Sequence, residues 1–227
     1  FLALAAICGC EGVLGALGGE VSTGEGSVVS ACMVPRTKPD SAAVRIPRRR
    51  FTIDEYHRMG EAGVFAEDDR VELLDGEIVQ MSPIGIPHSS SVDRLTAFFS
   101  RRLGRRAIIR VQGPIILDRW SEPQPDLSVL APRADFYGHA QPRPRDVLLA
   151  IEVMDSSRNY DRALKLPLYA RAELREVWLV DLKAEVIERF WSPALRGYRQ
   201  HEAFGRGRAL SPLAFPRVRF RVNEILG

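Results

Sequence analysis

The sequence predicts an α/β (α+β) protein: a mixed β-sheet flanked by helices, preceded by an N-terminal helix and a β-hairpin. Three observations carry this prediction. An Asp-Gly pair separates two β-rich runs, an amphipathic helical pattern covers residues 88–103, and Val147–Val153 is an almost continuous apolar run. A strand covered on both faces has such an apolar pattern, and alternating strands and helices are typical of helices packed on a sheet.

Composition excludes several classes of protein. The 227 residues are 45% hydrophobic and 27% charged, which excludes collagen, long disorder and a bundle of membrane spans. The three cysteines, Cys8, Cys10 and Cys32, all lie in the first 32 residues. The rest of the chain therefore has no thiol for a disulfide framework, a zinc finger or a cysteine nucleophile.

The first 50 residues are expected to be a non-domain extension, followed by one domain over 51–227. Residues 1–32 have three glutamates and no Lys or Arg, and this compositional break predicts a natural start at Met33. Residues 34–50 are rich in Pro and Arg and indicate a flexible basic arm. The alternative is that Phe1–Gly19 is the remnant of a secretory or lipoprotein signal, because it is apolar and contains small residues and cysteines.

Local signals place the first elements of the domain. Asp75-Gly76 stands between two β-rich runs and predicts a hairpin, because both central turn residues need positive φ. Thr52 and Glu55 form a capping-box pattern that predicts a short helix. The predicted elements are a helix at 52–59 that ends near Gly60 or Gly63, and hairpin strands at 70–74 and 77–81.

The remaining elements follow from periodicity. Residues 88–103 place their apolar side chains on one helical face, and Gly104 can end that helix. Residues 217–222 alternate strictly, so a strand there has one face of arginines only. Further strands are predicted at 107–111, 115–117, 126–130, 147–153, 176–181 and 185–191, and a helix at 157–171.

Two carboxylates stand where a buried charge is costly. Glu152 ends the apolar run, and Asp126 opens another β-rich run. On adjacent strands they supply the oxygen ligands that Mg²⁺ prefers. The alternative is that Asp126 caps a turn and Glu152 lies at an exposed strand end or pairs with an arginine.

Lys165 is unusual for its residue type. Only three of the 32 basic residues are lysines, so this chain uses arginine almost wherever a positive surface charge is sufficient. A compact ammonium beside a phosphoryl oxygen is not interchangeable with a planar guanidinium. The alternative is an ordinary helical ion pair with Asp161, four residues earlier.

Taken together, these motifs resemble the Uma-two family of restriction endonucleases, a branch of the PD-(D/E)XK nuclease superfamily. The resemblance covers about Phe51 to the C-terminus. It rests on the order and spacing of the following segments: Arg70–Val79, Met81-Ser82-Pro83 with His88, Gln124–Val129, Ile151-Glu152-Val153, Tyr160-Asp161 with Lys165, Leu168-Tyr169-Ala170 and Glu176–Asp181.

The resemblance implies a restriction-endonuclease-like core that cleaves DNA with Mg²⁺, for which Mn²⁺ can substitute. Carried over by position, Asp126 and Glu152 are the acidic metal ligands, joined by the Val153 carbonyl. The superfamily lysine usually follows two residues after the second acid; Met154 stands there, so Lys165 takes that role. Glu72 either binds a second metal or holds Lys165 in place.

Contact with DNA is expected from His88, which matches a family position near the same cleft, and from arginines. The arginine candidates are Arg101, Arg102, Arg105 and Arg106, and further ones are Arg48–Arg50 and the 217–222 face. Arginines on a solvated surface are the alternative. The remaining expectations are a homodimer, a cytoplasmic location and no membrane association.

Three departures from the family pattern put the activity in question. Asp155 follows the second acid where relatives have Ser, Pro167 can kink the segment that carries Lys165, and Glu173 stands where relatives often have Gly. The alternative function is therefore a catalytically inactive nuclease fold that binds DNA or regulates a partner.

Overall fold

The computed structural model describes residues 48–155 and 160–227. A six-stranded sheet in the order β3-β4-β5-β6-β7-β8 forms its centre, and a two-stranded hairpin, β1-β2, and a short pair, β9-β10, accompany it. The helices are α1 (Ile53–Glu61), α2 (Ile86–Leu103), α3 (Leu166–Arg171) and α4 (Val222–Leu226). The strands are β1 (Val71–Leu74), β2 (Glu77–Gln80), β3 (Ile108–Val111), β4 (Leu127–Leu130), β5 (Val147–Met154), β6 (Glu176–Asp181), β7 (Val186–Ala194), β8 (Gly197–Gly205), β9 (Ala209–Leu210) and β10 (Phe220–Arg221).

The N-terminal helix and the hairpin form as their local signals predict. Oγ1 of Thr52 accepts a hydrogen bond from the Glu55 N–H at 3.3 Å, and the Thr52 N–H donates to the Glu55 carboxylate at 2.9 Å. Asp75 and Gly76 adopt φ of 51° and 82°, the left-handed pair that a tight hairpin turn needs. The hairpin joins the rest of the fold where the Glu122 N–H donates to the Leu73 carbonyl at 2.7 Å.

The sheet is covered on both faces by separate apolar clusters. On one face, α2 contributes Val92, Leu95, Phe99 and Leu103, and α4 adds Val222 and Ile225. On the other face, α3 packs Leu168 and Tyr169 against the sheet. The central strand β5 contributes to both clusters, which explains its nearly continuous apolar sequence.

One parallel pair in the sheet determines where chemistry can occur. All neighbouring strands of the six-stranded sheet are antiparallel except β5 and β6, whose parallel register places Glu152 beside Leu179. The chain therefore crosses over between them, through the segment that contains α3. The carboxyl end of β5 lies beside the start of β4, so this crossover, Glu152 and Asp126 meet at one edge of the sheet.

Several expected elements need correction. Residues 115–117 are not a strand of the sheet; they are irregular, and the Ile115 N–H donates to the Pro123 carbonyl. The expected strand at 217–222 is reduced to β10, because Val222 already begins α4. Strand β8 was not expected, since its many exposed polar residues hide the alternation. The expectations for residues 1–47 and for the helix start at 157–159 lie outside the described residues.

Candidate active site

An open pocket lies at the edge of the sheet where β4 begins and β5 ends. Its lining includes Glu72 from the hairpin, His88 from α2, Asp126, Glu152 and Lys165. The structure therefore brings together all four residues expected to be catalytic, and His88 with them. They come from five separate stretches of sequence, so only the tertiary fold assembles them.

Lys165 is the central cation of this pocket. Its side chain is 4% exposed, and Nζ lies 3.2 Å from Oε1 of Glu72, 3.3 Å from Oε1 of Glu152 and 3.9 Å from Oδ1 of Asp161. Burial disfavours the ammonium, but the surrounding carboxylates, Glu152 foremost, outweigh that effect and raise the pKa of Lys165. Lys165 is therefore positively charged at any physiological pH.

Glu152 is buried at the end of β5. The Tyr169 hydroxyl donates to Oε1, and the Lys165 ammonium donates to Oε2 at 3.4 Å. Burial raises the pKa of Glu152 well above its usual range, and the Lys165 charge opposes this only in part. A cation that binds Glu152 therefore competes with a proton, because only the ionised carboxylate is a metal ligand.

Glu72 uses both of its carboxylate oxygens within the protein. Oε1 accepts from the Tyr160 hydroxyl at 2.9 Å and lies beside Lys165, while Oε2 accepts from the Gln124 N–H at 2.9 Å. The side chain is fully buried. Of the two roles expected for Glu72, this saturated arrangement favours holding Lys165 in place over binding a second metal.

Asp126 is fixed by the main chain of β5 and by α2. Its Oδ2 accepts from the Val153 N–H at 2.8 Å and lies 3.0 Å from Nε2 of His88. The hydrogen bond to Asp126 raises the pKa of His88 despite partial burial. Asp126 thus binds the main chain at Val153, directly after Glu152, the segment from which a carbonyl ligand was expected.

A π-helical turn positions Lys165. Residues Asp161–Lys165 form this turn, and the Leu166 N–H donates to the Asp161 carbonyl, five residues back. Pro167 has no N–H to continue an α-helical ladder and its ring crowds the preceding turn, so a wider turn before it relieves the conflict. The departure at Pro167 therefore leaves Lys165 directed at the carboxylates. Glu173, expected to occupy a glycine-type position, has φ of 63°.

The carboxylates fit a hard divalent cation by their chemistry. Oxygen donors at a pocket edge are the ligands that Mg²⁺ takes, and Mg²⁺ usually binds through one or two carboxylates together with water and substrate phosphate. Over residues 48–155 and 160–227, no three His, Cys, Asp or Glu side chains form a ready-made metal site. The residues therefore fit a site in which two carboxylates would bind the ion, and water and substrate phosphate would supply its remaining ligands.

The four arginines expected to contact DNA do not line this pocket. They lie at the C-terminal end of α2 and in the turn that follows it, whereas His88 is in the first turn of the same helix. Arg101 and Arg105 are exposed. Arg102 donates to the Arg219 carbonyl and to the Glu224 carboxylate at 2.8 Å, and Arg106 donates to the main chain of α2, so both support the fold.

Tyr160, Tyr169 and Arg70 had no expected role in the site, and Asp161 was expected only as an ordinary helical ion-pair partner of Lys165. Asp161 and Tyr169 stand four residues before and after Lys165, a helical spacing that could have placed all three on one face. The Tyr160 hydroxyl binds Glu72. Arg70 lines the pocket and donates to the Ser82 carbonyl at 3.3 Å. Its position at the start of the Arg70–Val79 family segment was the available signal.

This mixed sheet, with buried acids and a lysine at one edge, defines a restriction-endonuclease-like protein. The family sequence model of Uma2, described as a putative restriction endonuclease, matches residues 53–223. The chain belongs to the Uma2 family, as its motifs indicated, and this membership supports a nuclease with DNA as its substrate.

A solved structure supports the fold assignment. The crystal structure of a putative nuclease belonging to DUF820 from Anabaena variabilis is similar, with a TM-score of 0.60 and 16% sequence identity. The similarity covers 78% of this chain and 97% of that one. No curated protein matches the sequence. In the part of the chain that the structure describes, no helix is long and apolar enough to cross a membrane.

Proposed function

We propose that this protein is a divalent-metal-dependent DNA endonuclease that hydrolyses phosphodiester bonds, with Mg²⁺ as its cofactor and Mn²⁺ as a substitute. The observation that carries the proposal is the buried Lys165 ammonium, 3.2 Å from Glu72 and 3.3 Å from Glu152 at the edge of an open pocket. A buried charge network of this kind is costly to build, and such networks are concentrated at functional sites.

The charge of the pocket supports a metal cofactor. Among the residues that the structure describes, five carboxylates line it against two permanently charged cations, Arg70 and Lys165. A DNA phosphate would meet net negative charge there, and Coulomb repulsion in a partly desolvated pocket is strong. A divalent cation offsets this repulsion, so the acidic pocket and an anionic substrate become compatible. The five carboxylates are those of Glu72, Asp126, Glu152, Asp155 and Asp161.

Asp126 and Glu152 would hold the ion, joined by the Val153 carbonyl. Hydrogen bonds and charge restrain both side chains, because the Val153 N–H and His88 orient Asp126, and Tyr169 and Lys165 orient Glu152. When bound, the metal supplies positive charge to the phosphate and lowers the pKa of water. His88 thereby acts through Asp126, and because it lines the pocket it would also face DNA that enters there.

Lys165 supplies fixed positive charge beside the reacting phosphate. Because Glu72, Glu152 and Asp161 surround it, the ammonium keeps its proton and its position through the reaction. A preorganised cation of this kind stabilises negative charge that develops on the phosphoryl oxygens. Glu72 is a positioning residue in this mechanism, since its oxygens are bonded to Tyr160, Lys165 and the Gln124 main chain.

The proposal is tested by nicking of supercoiled plasmid with the full chain in Mg²⁺, in Mn²⁺ and in EDTA. We expect metal-dependent nicking that Asp126→Asn and Glu152→Gln each abolish. Asp93→Asn, on the exposed face of α2, is the matched control and keeps full activity. Mg²⁺ should also raise the melting temperature of the wild type but of neither site variant, because ligand binding stabilises only a competent folded state.

DNA binding without nicking in either metal would instead support the inactive DNA-binding or regulatory module. Retained nicking in Asp126→Asn or Glu152→Gln contradicts the assignment of the metal ligands. The homodimer and the cytoplasmic location expected from the sequence stay predictions. Sedimentation of the full chain, alone and with duplex DNA, measures the first, and cell fractionation measures the second.

A further inference from the structure

A row of three arginines lies on the surface near the C-terminus. Arg217, Arg219 and Arg221 are exposed, while Phe220 and Val222 between and after them are buried. The alternation expected from the sequence thus persists in side-chain exposure, although only Phe220–Arg221 is a strand. We refer to Arg217, Arg219 and Arg221 as the arginine row.

Arg102 contacts the main chain and the buried side of the arginine row. Its guanidinium donates to the Arg219 carbonyl, pairs with Glu224 at 2.8 Å and lies 4.9 Å from the centre of the Phe220 ring. The charge of Arg102 is therefore neutralised within the fold. Its role is to fix the main chain that carries the row.

The row borders a cleft with excess positive charge. Arg102, Arg208, Arg219, Arg221 and Glu224 line it. Arg102 pairs with Glu224 and Arg208 pairs with Glu202 at 3.0 Å, so the excess charge is that of Arg219 and Arg221. Within the described residues, neither Arg217 nor Arg219 forms an ion pair. Their N–H donors are thus available for an anionic ligand, and guanidinium groups suit phosphate well.

Helix α2 connects this cleft with the candidate active site. His88 lines the active-site pocket near its start, and Arg102 lines the cleft near its end. A rise of 1.5 Å per residue separates the two by about 21 Å along the helix axis. Fourteen residues are close to four full turns, so both side chains leave α2 on nearly the same side.

We propose that the arginine row binds backbone phosphates of the DNA substrate at a distance from the bond that is cut. This inference rests on the proposed function and extends it with a second contact surface. Arg219 and Arg221 are two residues apart at the start of β10, which corresponds to about 6–7 Å in extended chain, and Arg217 precedes them in a turn. This arrangement suits successive phosphates of one strand better than a single small anion. Phosphate contacts position DNA without reading its sequence.

The test measures binding apart from cleavage. Fluorescence anisotropy of a labelled duplex with the full chain in EDTA, at increasing KCl, gives the slope of log K against log salt. Each lost phosphate contact should reduce that slope by about 0.9, so Arg217→Ala/Arg219→Ala should reduce it by roughly 2 and weaken binding. Circular dichroism melting verifies that the double variant is folded.

Arg196→Ala/Arg199→Ala is the matched control, since both arginines are exposed on the β7–β8 hairpin and the charge change is equal. The control should keep the wild-type slope. Equal slopes for both double variants overturn the arginine row, whether or not plasmid nicking is observed. A slope loss specific to Arg217→Ala/Arg219→Ala in a protein that never nicks supports the row and contradicts the nuclease. No duplex binding by the wild type in EDTA overturns the arginine row, whereas the nuclease proposal is decided by plasmid nicking in Mg²⁺ and Mn²⁺.

Discussion

The Lys165 ammonium lies 3.2 Å from the Glu72 carboxylate, which joins the crossover between the two parallel strands to the N-terminal hairpin. The hairpin is therefore part of the candidate active site as well as a local element. Both side chains are almost completely buried, at 4% and 0% exposure. A contact of this kind couples the stability of the hairpin to the placement of the lysine.

Glu72→Gln should damage both stability and activity. The amide keeps the shape of the side chain but removes the negative charge that faces Lys165. Breaking one partner of a buried ion pair costs about 3–5 kcal/mol, so urea unfolding should show a loss of that order. Glu77→Gln on the same hairpin should cost less than about 1 kcal/mol, because its ion pair with Arg48 is solvent-exposed. Equal losses for the two variants would contradict the structural role of Glu72.

Lys165→Met should abolish plasmid nicking while duplex binding in EDTA persists. Removing one preorganised charge donor from a reacting centre typically costs about 10²–10³ in rate. Lys165→Arg should not restore nicking, because a planar guanidinium cannot occupy the space of an ammonium between Glu72 and Glu152. Nicking by Lys165→Arg at the wild-type rate would exclude a specific role for the lysine. Single-turnover nicking rates provide the measurement.

Glu173→Gly should stabilise the protein. Glu173 follows the cap of α3 with φ of 63°, which costs a residue with a side chain roughly 1 kcal/mol relative to glycine. Thermal unfolding should show a higher melting temperature and unchanged nicking, because Glu173 is exposed and outside the pocket. Arg58→Gly in α1 is the opposite control: this exposed position lies within the helix, so glycine should be destabilising by about 1 kcal/mol. A lower melting temperature for Glu173→Gly would mean that its side chain contributes more than its backbone strain costs.

Glu176 should make stability fall as pH rises towards neutrality. Burial raises the pKa of this carboxyl to about 7 from 4.5, although the Leu213 N–H and the Trp178 indole both donate to it. Between these two values the folded state holds a proton that the unfolded state has released. The free energy of unfolding therefore decreases across this window, by up to about 3 kcal/mol, and the contribution is constant above it.

Glu176→Gln should remove this pH dependence. Urea unfolding at pH 5 and pH 8 should show that the wild type loses more stability between the two conditions than the variant does. The change in the free energy of unfolding between pH 5 and pH 8 isolates the effect of protonation, since any packing change in the variant alters stability equally at both pH values. Glu67→Gln, at an exposed position, should follow the wild type. A parallel decline in wild type and Glu176→Gln would show that another group titrates there.

Local chemistry in the sequence determined much of the fold. The Thr52–Glu55 cap and the Asp75-Gly76 turn depend on neighbours in the chain, and both are confirmed. The apolar run of β5 required cover on both faces, which the two core clusters provide. Periodicity gave the wrong element where residues distant in the chain decide the structure. Residues 217–222 alternate as a strand does, but packing of Val222 and Ile225 against α2 favours a helix from Val222 onward.

The sequence also identified Asp126, Glu152 and Lys165 as candidates, because each is an informative residue type at a recognisable position. The order and spacing of the motifs indicated the family. Only the tertiary structure decided how they meet. The parallel β5–β6 pair forces a crossover, and the π-helical turn within that crossover directs Lys165 at Glu152 and Glu72. The tertiary structure likewise determined that Arg102 supports the arginine row, because its partners Arg219 and Glu224 lie far along the chain. Side-chain charge is local to a residue, but the burial and the partners that give it a function come from the whole fold.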